Sequence, residues 1–279
     1  HWMVHSFPTR RSSDLFPLAT LLTDFGTSDP YVAVVKGGIL RHCPGATIID
    51  LAHEIPPQDV RWAAFVLAQS MAHFPDDTLH VVVVDPGVGT DRRVLAGRVG
   101  TQRVLGPDNG VLSLAADKLG CSEMVAVDTV ALVGAPASAT FHGRDVFAPL
   151  AGRILGGLEI SRMGPPACQI VRADFPQSQV EGDSLAGCVV YVDRFGNLVS
   201  NIDRACLEQL CPKGGPVDVL CAGRFVGRVC STYAAAEPGA TLALVNSMDL
   251  LEVAVREGSA AARLGAGLGT EIRAVRGEE

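Results

Sequence analysis

Three side chains with acid–base or charge-pairing character are candidates for chemistry in this sequence. Asp85 follows the apolar run VVVV and precedes the turn PGVG, whose glycines let a ligand approach the backbone closely. Arg92 lies seven residues further on, so a hairpin-like loop could return its guanidinium to the Asp85 carboxylate, with a surface ion pair as the alternative. His142, beside Gly143, suits proton transfer near neutral pH, although a lone histidine is also a common loop residue.

Other polar residues lie where strands are predicted to end. Asp24, in TDFG, and Asp29 precede the first predicted helix, where a turn or helix cap is the alternative to a binding role. The segment YVDRFGNLVSNI brings Asp193, Phe195 and Asn197 within five residues of one another. Together they could hold a polar, partly planar ligand, or simply close a turn.

The usual nucleotide-phosphate loops are missing, because the sequence has no GxGxxG after a strand and no GxxxxGK[ST]. Residues 106–110, GPDNG, have the composition of a hairpin turn, and we expect a structural role for them. The loop HEIPPQD, with His53 and Gln58, is expected to border the same crevice as the other candidates; an ordinary hydrogen-bonded histidine is the alternative for His53.

Strands and helices must position these residues, and from Phe16 onward the two alternate, which is typical of a mainly parallel sheet. TLHVVVVD is continuously apolar, as in a strand that is buried on both faces, and ligands of such sheets bind beyond the carboxyl ends of the strands. We predict strands at LATLL, ATIIDLA and TLHVVVVD, a hairpin at RVLAGRVGTQRVLGPDNG, and helices at YVAVVKGGILRHC, VRWAAFVLAQSMAHF, VLSLAADKLG and RDVFAPLAGRILGG.

A change in texture divides the sequence into domains. Residues 16–165 are predicted to form an α/β sandwich domain that carries the catalytic residues, and the Pro-rich, polar stretch 166–183 is predicted to be a linker. Residues 184–279 hold short strands at close spacing, which favours a smaller, antiparallel β-barrel-like domain. Residues 1–15 are Ser-rich, basic and aperiodic, so we exclude them from the fold as a tail.

Composition excludes several classes of protein. With 279 residues, 48% of them hydrophobic and 19% charged, the chain can bury a substantial core. A net charge of −7 and an aromatic content of 5% argue against a nucleic-acid partner. No segment has the roughly 18 uninterrupted apolar residues of a membrane span. The eight cysteines are scattered, form no paired CxxC zinc motif, and indicate reduced thiols in the cytoplasm.

Seven motifs in order, TDFG, HEIPPQD, VVDPGVGTDRR, GPDNG, TFHGRDVFAP, YVDRFGNLVSNI and NSMDLLEVAV, resemble the S-adenosylmethionine (SAM) hydroxide adenosyltransferase family, relatives of the 5′-fluorinases and 5′-chlorinases. The match runs from about Leu21 to the C-terminus. The resemblance implies attack by water or hydroxide on the ribose C5′ of SAM, which yields adenosine and L-methionine. It implies no metal or other cofactor. It also implies a homotrimer with each active site between the first domain of one subunit and the second domain of the next.

The resemblance also implies roles for individual residues. Asp85, Arg92 and His142 match the set that orients and deprotonates the attacking water in hydrolytic members. The substrate-binding residues are expected to be Asp24 at the ribose hydroxyls, Asp29 and Asp193 around the methionine ammonium, and Phe195, Asn197, Ser247 and Leu250 on the adenine side, with Phe141 beside His142.

Departures from the halogenase pattern favour water over halide as the nucleophile. Asp85 stands where the halogenases have a tyrosine, and a carboxylate should repel a halide. Gln58 replaces a tryptophan, and Met248 replaces an arginine near the adenine. Three alternatives stay open: a SAM-dependent 5′-halogenase, a SAM or nucleoside sensor without turnover, and a metal-dependent phosphoesterase with hard-metal ligands Asp24, Asp85, Asp108 and His142.

Overall fold

The computed structural model describes residues 17–212 and 214–278. The chain divides into two compact units between Ala173 and Asp174, a point that lies inside the predicted linker, 166–183. The predicted tail, residues 1–15, lies outside the described residues. Within the described ranges, every helix is too short or too polar to cross a bilayer.

The first unit is built on a six-stranded mixed sheet. Named in their order across the sheet, the strands are β2 (Thr47–Ala52), β1 (Leu18–Thr23), β3 (Leu79–Val83), β5 (Gln102–Pro107), β4 (Val94–Val99) and β6 (Cys121–Ala126). β1 pairs in parallel with β2 and β3, and β3 pairs in parallel with β5. β4 is antiparallel to both β5 and β6. The mainly parallel sheet predicted from the sequence is confirmed.

Helices cover both faces of this sheet, because strands such as the central β3 have apolar side chains on both sides. Leu79, Val81 and Val83 pack toward one face, and Val82 and Val84 pack toward the other, so both faces need a cover. The first face is covered by helices α1 (Tyr31–His42) and α5 (Ala148–Leu155), and the second by α2 (Val60–Ser70) and α3 (Ser113–Leu119). A further short helix is α4 (Thr129–Val133).

The parallel strands bring two candidate loops to the same edge of the sheet. Thr23, the last residue of β1, is paired with Val83, the last residue of β3. Asp24 and Asp85 therefore follow adjacent strands at their carboxyl ends, which is where ligands bind in open α/β sheets.

The second unit is a closed β-barrel. Its elements in chain order are β7 (Gln179–Glu181), β8 (Ser184–Val192), β9 (Leu198–Asp203), α6 (Arg204–Leu210), β10 (Val217–Cys221), β11 (Arg224–Cys230), β12 (Thr241–Val245), β13 (Leu250–Val255), α7 (Ala260–Leu264) and β14 (Glu271–Arg276). Pairing of β14 with β8 closes a ring of seven strands, and β7 adds to the outside of β8. The predicted β-barrel-like domain is thus confirmed, with one parallel pair, β11 and β12, among the antiparallel ones.

The sequence patterns did not predict five of these elements, which are α4, β6, β7, α6 and α7, and β7 lies within the predicted linker, 166–183. β6 begins with the exposed residues Cys121 and Ser122 and has few β-branched side chains, so its apolar pattern is weak. α6 is only seven residues long. Its start does carry a local signal, because the Asp203 side chain accepts a hydrogen bond from the backbone N–H of Cys206.

Candidate active site

The loop after β3 is shaped by tight turns. The backbone N–H of Val88 donates to the Asp85 carbonyl over 3.1 Å, and that of Thr90 donates to the Gly87 carbonyl over 3.1 Å. Gly89 has a φ of +81°, and a Cβ there would lie 2.8 Å from the carbonyl oxygen of Ala139. Only glycine fits at this position without strain. The turns bring residue 92 back toward residue 85.

Asp85, Arg92 and His142 form one connected group. Arg92 Nε donates to both carboxylate oxygens of Asp85 at 2.8 Å, and its terminal Nη2 donates to the same carboxylate. Nη2 also lies 2.9 Å from His142 Nδ1. The Asp85 side chain is 5% exposed and that of Arg92 10%, so the surface ion pair considered from the sequence is not what forms. The structure brings together all three predicted catalytic residues.

This contact fixes the tautomer of His142. A guanidinium can only donate hydrogen bonds, so His142 Nδ1 must be the acceptor and the proton of the neutral ring must sit on Nε2. Burial lowers the pKa of His142, and the positive charge of Arg92 lowers it further, whereas Asp85 and Asp145 act in the opposite direction. The pKa therefore falls below the ordinary value of 6.5, and the neutral ring predominates at neutral pH.

A π-helical turn carries His142. His142 immediately precedes the π-helix Gly143–Phe147, which continues into α5. Such turns often occur at functional sites. A Cβ on Gly143 would lie 3.1 Å from the Phe141 ring. The Arg92 guanidinium lies over the Phe147 ring, 5.7 Å from its centroid, so the same turn supports Arg92 as well as His142.

The loop HEIPPQD contacts Asp24. The Asp24 carboxylate accepts a 2.8 Å hydrogen bond from the backbone N–H of Gln58, a residue with a φ of +66°. Thr23 Oγ1 lies 2.9 Å from Nδ1 of the buried His53, and the His53 carbonyl accepts from the backbone N–H of Gly26. Hydrogen bonds therefore join the two loops, and the buried His53 supports them from within.

The remaining candidates of the first unit lie beside this edge. Phe141 packs against Phe25 and Tyr31, with ring centroids 6.0 and 5.1 Å apart. Asp29 is exposed just before α1, and the cap position of that helix is Pro30 with no side-chain hydrogen bond. Asp29 is therefore not a helix cap.

In the second unit, the segment DRFGN forms a turn that also borders a cavity. The Asp193 carboxylate accepts hydrogen bonds from the backbone N–H groups of Phe195 and Asn197 and from the Asn197 amide, at 2.8 to 2.9 Å. Phe195 is 77% exposed. These residues line a cavity of about 700 Å³ together with Tyr233 and Glu257. The turn considered from the sequence therefore forms, and the same residues line a cavity. A ligand-binding role for them stays a prediction.

Ser247 lies in the loop between β12 and β13, and Leu250 is the first residue of β13. The Asn246 side chain organises this loop by accepting hydrogen bonds from the backbone N–H groups of Met248 and Leu250. The Asn246 amide in turn donates to Glu252 over 3.0 Å.

Glu252 is a buried polar residue that the sequence patterns did not single out. It lies in β13 and accepts a 2.6 Å hydrogen bond from the Tyr233 hydroxyl. Burial raises the pKa of Glu252 and that of the Tyr233 hydroxyl. The signal in the sequence was a glutamate inside the otherwise apolar run LLEVAV.

The arrangement disfavours a cation site at the strand ends. Asp85 is paired with Arg92, and Asp108 is paired with Arg93, so each acid already faces a guanidinium. Within residues 17–212 and 214–278, no group of three or more His, Cys, Asp or Glu side chains is placed to hold a metal ion.

An α/β domain with a carboxylate, a guanidinium and an imidazole at its strand ends, followed by a seven-stranded barrel, defines a two-domain enzyme of the α/β class. Residues 19–164 match the SAM hydroxide adenosyltransferase N-terminal domain, and residues 187–273 match the corresponding C-terminal domain. The chain belongs to the SAM hydroxide adenosyltransferase family.

Known proteins resemble the chain over two thirds of its length or more. An (R)-S-adenosyl-L-methionine hydrolase of Thermus thermophilus is 42% identical, over 90% of this chain and 97% of its own. A fluorinase of Actinoplanes sp. is 29% identical, over 69% of this chain and 74% of its own. The crystal structure of an uncharacterized conserved protein from Thermotoga maritima superposes with a TM-score of 0.86 at 34% identity, covering 93% of this chain and 100% of the other.

Proposed function

We propose that this protein hydrolyses S-adenosyl-L-methionine to adenosine and L-methionine through attack of water or hydroxide on ribose C5′. The observation that carries the proposal is the Asp85 carboxylate, held by Arg92 beside His142 at the strand ends. The sulfonium leaves without protonation, so the site has to supply an oriented nucleophile in line with the C–S bond. The higher identity to the hydrolase than to the fluorinase supports the same choice.

The tautomer of His142 determines which hydrogen bonds His142 and Asp85 can make with the attacking water. Because Nδ1 accepts from Arg92, the Nε2–H is free to donate to the oxygen of the nucleophile, and His142 orients the water rather than deprotonating it. Asp85 accepts a hydrogen bond from the same water. As the new C5′–O bond forms, the electron pair of the C5′–S bond moves to sulfur, and the water proton passes to Asp85 or to solvent.

We propose that no metal or cofactor takes part and that the substrate-binding roles follow the family resemblance. Asp24 holds the ribose hydroxyls with its carboxylate, and the turn around Asp193 serves the methionine and adenine side. The pairing of both Asp85 and Asp108 with arginines supports a metal-free reaction. The eight free thiols and the net charge of −7 support a cytoplasmic protein that does not bind nucleic acid.

Purified protein incubated with SAM, without halide and with a chelator, tests the function. We expect adenosine and methionine in equal amounts, and an Asp117→Asn control, which alters an exposed ion pair with Arg172, should keep the full rate. Loss of activity with chelator would favour a metal-dependent enzyme. Formation of 5′-chloroadenosine only with chloride would favour a halogenase, and binding without any product would favour a sensor.

We further propose a homotrimer in which the first unit of one subunit and the second unit of the next form each site. Mixing two inactive variants tests this arrangement. Subunits with Asp85→Asn and subunits with Asn197→Ala should regain activity after unfolding and refolding together, because some sites then combine two intact halves. A monomer in light scattering, or mixtures that stay inactive, would refute the shared site.

A further inference from the structure

Both ends of the loop that carries Asp85 and Arg92 are held by one short turn, residues 106–110. This turn begins with the last two residues of β5, which pairs with β4 so that Val94 lies opposite Pro107. Its composition predicts a structural role only. Its two polar side chains, however, reach the two ends of residues 85–92.

Asn109 holds the start of the loop. Its amide Nδ2 donates to the carbonyl of Val84 over 2.9 Å, immediately before Asp85. Its Oδ1 accepts from the backbone N–H of Val111 over 3.2 Å. These two contacts fix which side of the amide is nitrogen, since a carbonyl only accepts and a backbone N–H only donates.

Asp108 holds the end of the loop. Its carboxylate accepts a 2.8 Å hydrogen bond from Arg93 Nε, and its backbone N–H donates to the Arg93 carbonyl over 3.0 Å. The other carboxylate oxygen accepts from the backbone N–H of Val171 over 2.8 Å. The Asp108 side chain is only 3% exposed, so this anchor is buried, and the residue it holds directly follows Arg92.

We infer that Asn109 and Asp108 are positioning residues for the hydrolysis: together they set the separation and orientation of Asp85 and Arg92. The loop between the anchors contains Gly87 and Gly89, so its conformation depends on its own turns and on the two anchors together. A displacement of about 1 Å at a reacting group can cost on the order of 10²-fold in rate. This inference rests on the proposed function.

The sharpest test is Asn109→Asp, which keeps the shape and the acceptor for Val111 but turns the donor into an oxygen facing the Val84 carbonyl. We expect kcat to fall about 10- to 100-fold, with the KM for SAM within about twofold. Asn201→Asp is the matched control, because Asn201 also donates to a carbonyl, that of Pro176, and accepts from a backbone N–H, that of Cys188. Its kcat should stay unchanged.

A second variant and a second measurement separate positioning from general destabilisation. Asp108→Asn should also lower kcat. If Asn109→Asp does not fold, Asp108→Asn serves as the test variant instead. The imidazole nitrogen resonances of His142 should change in both variants and stay constant in Asn201→Asp, because they report the contact with Arg92.

The outcomes distinguish this inference from the proposed function. A wild-type protein that releases no adenosine contradicts the proposed function. In that case, the His142 resonances still show whether Asn109 and Asp108 position Arg92. An active wild type whose kcat is unchanged in Asn109→Asp overturns the inference. A loss of kcat with unchanged His142 resonances, or with an equal loss in Asn201→Asp, overturns it as well.

Discussion

Replacing Asp85 by asparagine tests the centre of the site with almost no change in shape. Arg92 contacts both carboxylate oxygens of Asp85. The variant keeps one of these acceptors but removes the other, together with the negative charge. The Arg92 side chain is 10% exposed, so it cannot recover its hydration without moving. The substitution therefore leaves a largely buried cation without its counter-ion.

Two magnitudes follow from this geometry. Breaking a buried ion pair by removing one partner costs about 3–5 kcal/mol, and the remaining hydrogen bond places this variant near the lower end. A loss of about 3 kcal/mol lowers the melting temperature of a domain of this size by ~6–12 °C. Removing the group that accepts from the nucleophile should lower kcat about 10²- to 10⁴-fold, with a smaller effect on KM.

The rate is measured as adenosine release at saturating SAM, and binding as the heat of titration with SAM. Protonation of His142 does not confuse the result, because Asp85 raises the pKa of His142 and its removal keeps the ring neutral. The double variant Asp85→Asn/Arg92→Gln should be about as slow as the slower single variant, since residues that act as a unit are not additive. An unchanged kcat in Asp85→Asn, or fully additive losses, would refute the reasoning.

Three further predictions concern single groups. Asp24→Ala should raise the KM about 10²-fold, from a loss of about 3 kcal/mol in hydrogen bonds to the ribose, with kcat nearly unchanged in initial-rate assays; an unchanged KM would exclude Asp24 from the binding site. The pH–rate profile should be flat near neutrality and fall only below pH 6.5 as His142 is protonated, and Arg92→Gln should move that fall to higher pH; a fall already at pH 7 in the wild type would contradict the neutral ring. His80 is buried and its pKa is lowered to about 4, so the folded protein keeps the ring neutral where the unfolded chain binds a proton. The free energy of unfolding, measured by urea titration, should therefore fall by about 3 kcal/mol as the pH is lowered from 6.5 to 4. His80→Gln should lack this dependence on pH.

Much of the fold follows from short-range patterns in the sequence. The continuous apolar run in β3 predicts a strand that is buried on both faces, and Val82 and Val83 do pack on opposite sides of the sheet. The same run is enough to place Asp85 at the end of a central strand. β6 was not predicted, because a half-exposed edge strand has only a weak apolar pattern.

The internal geometry of the site could not be predicted, because it depends on contacts between distant parts of the chain. His142 reaches Arg92 from 50 residues away, and only the packed sheet and helices bring the two together. The sequence left open whether Arg92 pairs with Asp85 at the surface or in a buried site. It also classed Asp108 and Asn109 as turn residues, since their composition describes the local backbone and says nothing of what their side chains hold.

The charges in the site give a physical reason for the choice of nucleophile. Asp85 and Arg92 cancel each other, and His142 is neutral, so the group as a whole has almost no net charge when the cationic substrate arrives. Attack converts the sulfonium into a neutral thioether, and a proton leaves the attacking water. In the proposed mechanism, the Asp85 carboxylate stabilises the positive charge that develops on that oxygen. A halide carries no proton to give up, so its attack develops no positive charge for a carboxylate to stabilise. The site therefore favours a nucleophile that arrives neutral and loses a proton, as water does.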